Sequence, residues 1–270
     1  MRAYAAAAYL FLYLPIGIIV LFSFTAGRHA SEMRGFSVQW YATAAANSFV
    51  TEALTTSLII ALTSAAFATV VGTMAALGLQ RVRGALRVAF DSLTYVALMV
   101  PGIVIGIATL IALVTVFDAV NPVLASLWPG PMETAPALGL GLGSVIAAHS
   151  LFATALVIVI VRARLHGMDR TLVEAASDLY ATPWAAFRHV TLPQLAPAIV
   201  AGFLLSFTFS FDDFVIAFFV AGSETTLPIY VFSSIRRGLT PEINAIATVV
   251  LAFSLTLLLG AQWLVRRRAR

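Results

Sequence analysis

Two adjacent carboxylates, Asp212 and Asp213, interrupt the apolar run "LSFTFSFDDFVIAFFVAG" at residues 205–222. An ionisable side chain inside such a run costs about 2.5–3.5 kcal/mol on insertion scales, so each one calls for a function. On one continuous helix, Gly202, Ser206, Ser210, Asp213 and Ala217 recur at steps of four and three and form a small, polar stripe. Phe203, Phe207, Phe211, Phe214 and Phe218 recur on another side. A small, polar stripe suits a pathway wall or a close helix interface, and a Phe stripe suits lipid or a packed core. Asp213 lies on the stripe, with Asp212 about 100° away. Carboxylates beside a translocation path favour an amine-bearing cation by charge and hydrogen bonding. The alternative is structural, with one acid protonated and tying its helix to a partner. His149, amid Ala and Ser, reads first as a core histidine bonded to a neighbouring helix and second as a pathway group. Asp91, one turn beyond Arg87, reads as a solvated residue at a membrane boundary.

Enzymatic readings of the same residues fare worse. A membrane aspartyl protease needs its two acids on separate helices, and here they are adjacent. Ser–His chemistry needs a serine facing His149, whereas neighbouring Ser150 points about 100° away on a helix. The chain has no Cys, which excludes disulfides, thiolate metal sites and cysteine nucleophiles. All sixteen basic residues are Arg. Without Lys there is no P-loop, no Schiff-base lysine and no Ser-Lys dyad, so the chain holds no ATP through a Walker lysine of its own.

The elements that must carry these groups are membrane spans. Of 270 residues, 61% are hydrophobic and 10% charged, and mean hydropathy is +0.97. A water-facing surface cannot be covered from that composition. Six runs of membrane length are expected near Ala5–Phe24, Leu54–Leu79, Val88–Phe117, Leu138–Val161, Leu195–Val220 and Asn244–Val265. The first is too long for a signal-peptide core and reads as a retained helix. The third holds Pro101-Gly102 near its middle, which predicts a kink. With the N-terminus inside, twelve Arg fall on inner segments (Arg2; Arg81, Arg83, Arg87; Arg162, Arg164, Arg170, Arg188; Arg266, Arg267, Arg268, Arg270). The outer loops hold four: Arg28, Arg34, Arg236 and Arg237. That imbalance places both termini in the cytoplasm. The "RRRAR" tail is then an orientation anchor, not a nucleic-acid patch.

Between the fourth and fifth runs lies the polar stretch "VEAASDLYATPWAAFRHVTLP", residues 173–193. Asp169 can cap a helix over about Arg170–Leu179; Thr182, with Pro183 following, can cap a second over Trp184–His189. An ordinary connector would be shorter and less regular. The small pair Ala175-Ala176 beside Glu174 suits a knob seated in a partner's groove.

"EAASDLYA" followed by "TLPQLAP" resembles the EAA loop of permease subunits in bacterial ATP-binding-cassette importers. Glu174, Ala175, Ala176, Asp178, Leu179, Leu192 and Pro193 match the family pattern. Tyr180 stands where the family has Gly. Glycine there permits positive φ at the turn, and a Tyr in that conformation costs about 1 kcal/mol. "LSFTFSFDDFVIAFFVAG", "LPIYVFSSIRRGLTPEINAIATV" and the first apolar run are similar to the C-type permeases of spermidine/putrescine importers. The resemblance implies an all-α integral membrane protein of six transmembrane helices, with the type I ABC importer permease fold and a coupling loop between helices four and five. It implies one permease domain over residues 1–270, with a first helix at about 5–24 and five core helices at about 54–265. It also implies a second homologous permease, two copies of a cytoplasmic ATPase that binds the ATP and Mg, an extracytoplasmic solute-binding protein, and an inner-membrane location. No cofactor is expected in the chain itself. Asp213, Asp212, Ser210, Ser206 and His149 are the pathway candidates, and the solute is a polyamine or another small amine, opine or phosphonate compound. A secondary transporter is the remaining rival. Its mark would be paired broken helices in an inverted repeat, and only one Pro-Gly break is present.

Overall fold

A computed structural model describes residues 1–30, 32–130, 134–169, 171–238 and 240–268. Arg170 and Arg270, used in the orientation count, lie outside the described residues. Among the described residues the elements are helical: α1 (Arg2–Phe22), α2 (Gln39–Ala46), α3 (Ser48–Gly78), α4 (Gly84–Met99), α5 (Gly102–Leu127) and α6 (Leu142–His166). They continue as α7 (Thr171–Asp178), α8 (Pro183–Ala186), α9 (Leu192–Asp212), α10 (Val215–Val220), α11 (Leu227–Arg237) and α12 (Pro241–Arg268). Six described helices are long and apolar enough to cross a membrane: Tyr4–Phe22, Ser48–Gly78, Gly102–Leu127, Leu142–His166, Pro183–Asp212 and Pro241–Gly260.

Two expectations need correction. The third run is not one kinked span over Val88–Phe117. α4 stops at Met99 and α5 begins at Gly102, with Val100 and Pro101 extended between them. Pro101 lacks the N–H an unbroken helix would use, and the residue before a proline is driven out of helical geometry. Sixteen residues of α4 rise about 24 Å, short of the roughly 30 Å hydrocarbon core, so the full-length apolar helix is α5. The fifth run is not continuous to Val220 either. α9 ends at Asp212, Asp213 is extended (φ −72°, ψ 122°), and the six-residue α10 starts afresh.

One group of elements comprises residues 1–56 and 225–260. There no side chain over Tyr4–Phe22 of α1 is buried, as suits a helix apolar all round. The loop after it closes on the buried Thr25, whose Oγ1 accepts from Gly27 N and Arg34 N and donates to Glu32 O. Asn47 Nδ2 donates to Glu242 Oε1 (2.8 Å) and Tyr230 Oη (3.2 Å), which fastens α11 and α12 to the start of α3.

The other group, residues 57–224, is built around α6. Its tight core joins Ala68 and Ala76 of α3, Ala153, Val157 and Val161 of α6, and Leu195 of α9. Small residues let these backbones approach where lipid offers no hydrophobic drive. A Cβ on Gly72 would stand 2.8 Å from Val157 Cβ, and Gly202 approaches Val157 from the other side. The short α10 packs on α5, with Gly106 against the Phe219 ring, and Ser144 Oγ at the start of α6 lies 2.6 Å from Val220 O.

Candidate solute pathway and coupling loop

The α9–α10 break brings together residues that a straight helix would only align. Asp213 Oδ2 accepts from Ile216 N (2.9 Å) and Ala217 N (3.0 Å), the orphan amides of the new helix. The same oxygen lies 3.3 Å from His149 Nε2 on α6, at an angle that makes no hydrogen bond. His149 Nδ1 meets Ser210 Oγ at 2.7 Å, and His149 is buried, as is Ser210. These groups line a cavity of about 250 Å³ together with Ser206, Leu98, Ile105 and the edge-to-face pair Phe152 and Phe209. Ser206 Oγ is buried without a hydrogen-bond partner.

Four of the five pathway candidates, His149, Ser206, Ser210 and Asp213, therefore meet at one cavity. Asp212 does not join them: it ends α9 exposed and away from the cavity lining. The neighbouring-helix bond expected of His149 is there. Its serine is Ser210, 61 residues away, which the exclusion of Ser150 did not consider. Ser210, His149 and Asp213 have the membership of a nucleophilic triad. The backbone donors Ile216 N and Ala217 N are already bonded to Asp213, so they are not available to hold an oxyanion.

Asp91 is more than the solvated residue expected. Its carboxylate takes both terminal nitrogens of Arg162, on α6, with Arg87 Nε 3.8 Å away. The pair is mostly buried, with side chains 28% and 15% exposed, and clamps α4 to α6. No local signal announces a partner 71 residues away.

The polar stretch forms as its caps dictate. Asp169 Oδ1 accepts from Thr171 N (2.9 Å) and Thr171 Oγ1 (2.7 Å) at the start of α7, and these bonds hold its carboxyl below the usual range. Thr182 Oγ1 accepts from Ala185 N over Pro183. At the end of α7 the chain reverses with Ala181 N bonded to Ala176 O and Tyr180 N to Ser177 O. That closure requires a left-handed residue, and Tyr180 supplies it at φ 60°. The second helix does not stop at His189 as expected. A π-helical turn, Phe187–Thr191, carries it directly into α9, where Pro193 falls in the first turn, a position that tolerates a missing N–H. Glu174, Ala175, Asp178 and Leu179 are exposed on α7 and its end, Ala176 is half-buried, and Leu192 and Pro193 are exposed at the foot of α9. The tip presents Tyr180 (96% exposed), Leu179 and Trp184 to solvent.

Six membrane-length helices, a cavity with convergent polar groups between α4, α5, α6, α9 and α10, and a capped polar loop between α6 and α9 are the features of a polytopic membrane protein with a polar interior site. Residues 68–270 match the family described as binding-protein-dependent transport system inner membrane component, and the chain belongs to that family. It is 39% identical over 245 residues to the putrescine transport system permease protein PotI of Escherichia coli (strain K12), covering 89% of this chain and 82% of that one. Against the spermidine/putrescine transport system permease protein PotC of the same organism it is 33% identical over 268 residues, 99% and 94% of the two chains. Its fold matches a chain in the crystal structure of a bacterial ABC transporter that imports the acidic polysaccharide alginate. The TM-score there is 0.71 at 16% identity, with coverage of 97% and 92%. The chain is thus the membrane component of an ABC importer and not itself an enzyme.

Proposed function

We propose that this chain forms one half of the translocation pathway of an ATP-driven bacterial importer for a polyamine of the putrescine/spermidine class. One observation carries the reading: the chain is 33–39% identical, over most of its length, to permeases of putrescine and spermidine/putrescine systems, and its interior cavity holds a carboxylate. An importer that receives solute from a binding protein needs only weak sites along the way, since tight binding would trap it. Asp213 on a wall of Ser206 and Ser210 offers a protonated amine charge without a closed cage.

The working assembly sets this chain and a second homologous permease in an inner membrane, with two cytoplasmic ATPase subunits that bind the ATP and Mg and an extracytoplasmic solute-binding protein. The whole chain, 1–270, serves as one permease domain, with both termini cytoplasmic by the Arg count. Glu174, Ala175, Ala176, Asp178, Leu179, Leu192 and Pro193 form the contact with the ATPase. The capped, exposed geometry of α7 and the Tyr180 turn support that role.

The test is uptake of radiolabelled putrescine by cells stripped of their own polyamine importers and given this permease with its partner subunits. Uptake that depends on the binding protein is expected. Cells that accumulate neither putrescine nor spermidine under those conditions contradict the assignment.

A further inference from the structure

Arg162 and Arg164 stand two residues apart near the end of α6 and have unlike surroundings. Arg162 is neutralised by Asp91. Arg164 donates its Nε to Gln194 O at the foot of α9 (3.0 Å), and its two terminal nitrogens have no acceptor among the described residues. It borders a cleft of about 450 Å³ that Leu172 of α7, His189 and Val190 of the π-helical turn, and the first turns of α9 complete. His189 Nδ1 donates to Ala185 O, and its Nε2 has no described partner. Pro193 and Pro197 bring no N–H to the lining, and the Gln194 side-chain amide turns back to Val190 O. Among the described residues no acid lines the cleft. Its polar chemistry is therefore that of an anion site, a guanidinium and an imidazole over walls of Leu172, Val190, Pro193 and Pro197.

The place of the cleft narrows the anion. α6 and α9 are both of membrane length, and the cleft lies where the end of one meets the start of the other, at the base of the polar hairpin. The exposed tip, Leu179, Tyr180 and Trp184, lies beyond the other end of α7, about 9 Å of helical rise from Leu172. A protein seated on the tip leaves this cleft open, whereas a lipid reaches it from the bilayer. The fork of an arginine matches a phosphate with two parallel N–H bonds, and a basic pocket between spans on the cytoplasmic side lies at the level of the headgroups. Resting on the importer reading and the orientation above, we propose that this cleft seats the headgroup phosphate of an anionic inner-leaflet phospholipid on Arg164 and His189, and that the bound lipid braces the base of the coupling loop. The tether to Gln194 O holds the Arg164 fork in place before the lipid arrives, and Leu172 brings α7 into contact with the same ligand.

The experiment uses the assembled importer in nanodiscs of phosphatidylcholine, alone or mixed with phosphatidylglycerol. Mass spectrometry reads the phosphatidylglycerol retained when the complex is extracted into detergent and washed. Arg164→Gln should retain about a third as much as wild type or less. His189→Gln should also retain less, and Arg83→Gln, an exposed arginine away from the cleft, should match wild type. ATPase stimulation by the putrescine-loaded binding protein should be severalfold higher with phosphatidylglycerol than without, and Arg164→Gln should abolish that difference. Equal retention by wild type and Arg164→Gln, or an equal loss in Arg83→Gln, would overturn the proposal. Wild-type ATPase rates alike in both bilayers would do the same. So would inorganic phosphate reproducing the lipid effect in phosphatidylcholine, which would make this a site for a free anion. If Arg164→Gln does not assemble, His189→Gln decides on the same readouts. Retention that depends on Arg164 in an assembly that takes up no putrescine in either bilayer would remove the importer reading and leave the lipid site standing.

Discussion

Single residues at closely packed or strained positions give the sharpest stability tests. Gly222 has φ +59°, and a Cβ there would lie 2.5 Å from Leu140 O. Gly222→Ala should therefore destabilise the chain by about 1–2 kcal/mol or more, read as a lowered melting temperature in detergent. Tyr180 presents the opposite case. It sits at φ 60° with its ring in solvent, so Tyr180→Gly relieves backbone strain without opening a cavity. The melting temperature should hold or rise slightly, by up to about 1 kcal/mol in stability. This turn was legible in the sequence, because the family pattern marks the position as Gly and the physics of positive φ explains why. The Asp91–Arg162 pair was not legible, since nothing local links residues so far apart. Asp91→Ala should lose about 1.5–3 kcal/mol by stranding the guanidinium, and adding Arg162→Met should recover part of that loss in a double-mutant cycle.

At the scale of elements, breaks matter more than spans. Pro101-Gly102 announces the α4–α5 break in the sequence. The α9–α10 break has no such signal, because Asp212-Asp213 stands in an apolar run without Pro or Gly. It is fixed by tertiary bonds: Asp213 caps α10, and Ser144 takes the carbonyl at the other end of that short helix. The polar stripe read from helical spacing still led to the right side chains, since Ser206 and Ser210 precede the break and Asp213 turns back to the same cavity. The polar loop over 173–193 is capped by its own Asp169 and Thr182, which makes the coupling role proposed for it testable as a unit. Glu174→Ala and Ala176→Trp should cut both uptake and ATPase stimulation severalfold with membrane insertion unchanged; normal transport in both would leave the loop a mere connector. Acid should not act through the Asp169 cap above the carboxylate range. Asp169 is lowered by its bonds to Thr171, so its contribution is complete above the unfolded value near 3.9 and is lost only as pH falls through the lower folded value. An uptake change between about pH 5 and pH 8 must therefore arise from a group other than Asp169.

For the whole molecule, hydropathy alone was sufficient to count the spans, because every backbone group in lipid must be satisfied within a helix. It set their number better than their ends: the third span moved to Gly102–Leu127 once the break cut α4 away. On the orientation proposed from the Arg count, a reporter fused at the C-terminus should behave as internal and one inserted at Gly130, beyond α5, as external. The opposite pattern would invert the orientation. Polyamine passage through the α9–α10 cavity is tested most directly by putrescine uptake into liposomes carrying the complete importer with Asp213→Asn in this chain. Uptake should fall by about tenfold or more, with the subunits still copurifying and Asp212→Asn remaining close to wild type. Uptake by Asp213→Asn equal to wild type would contradict the account.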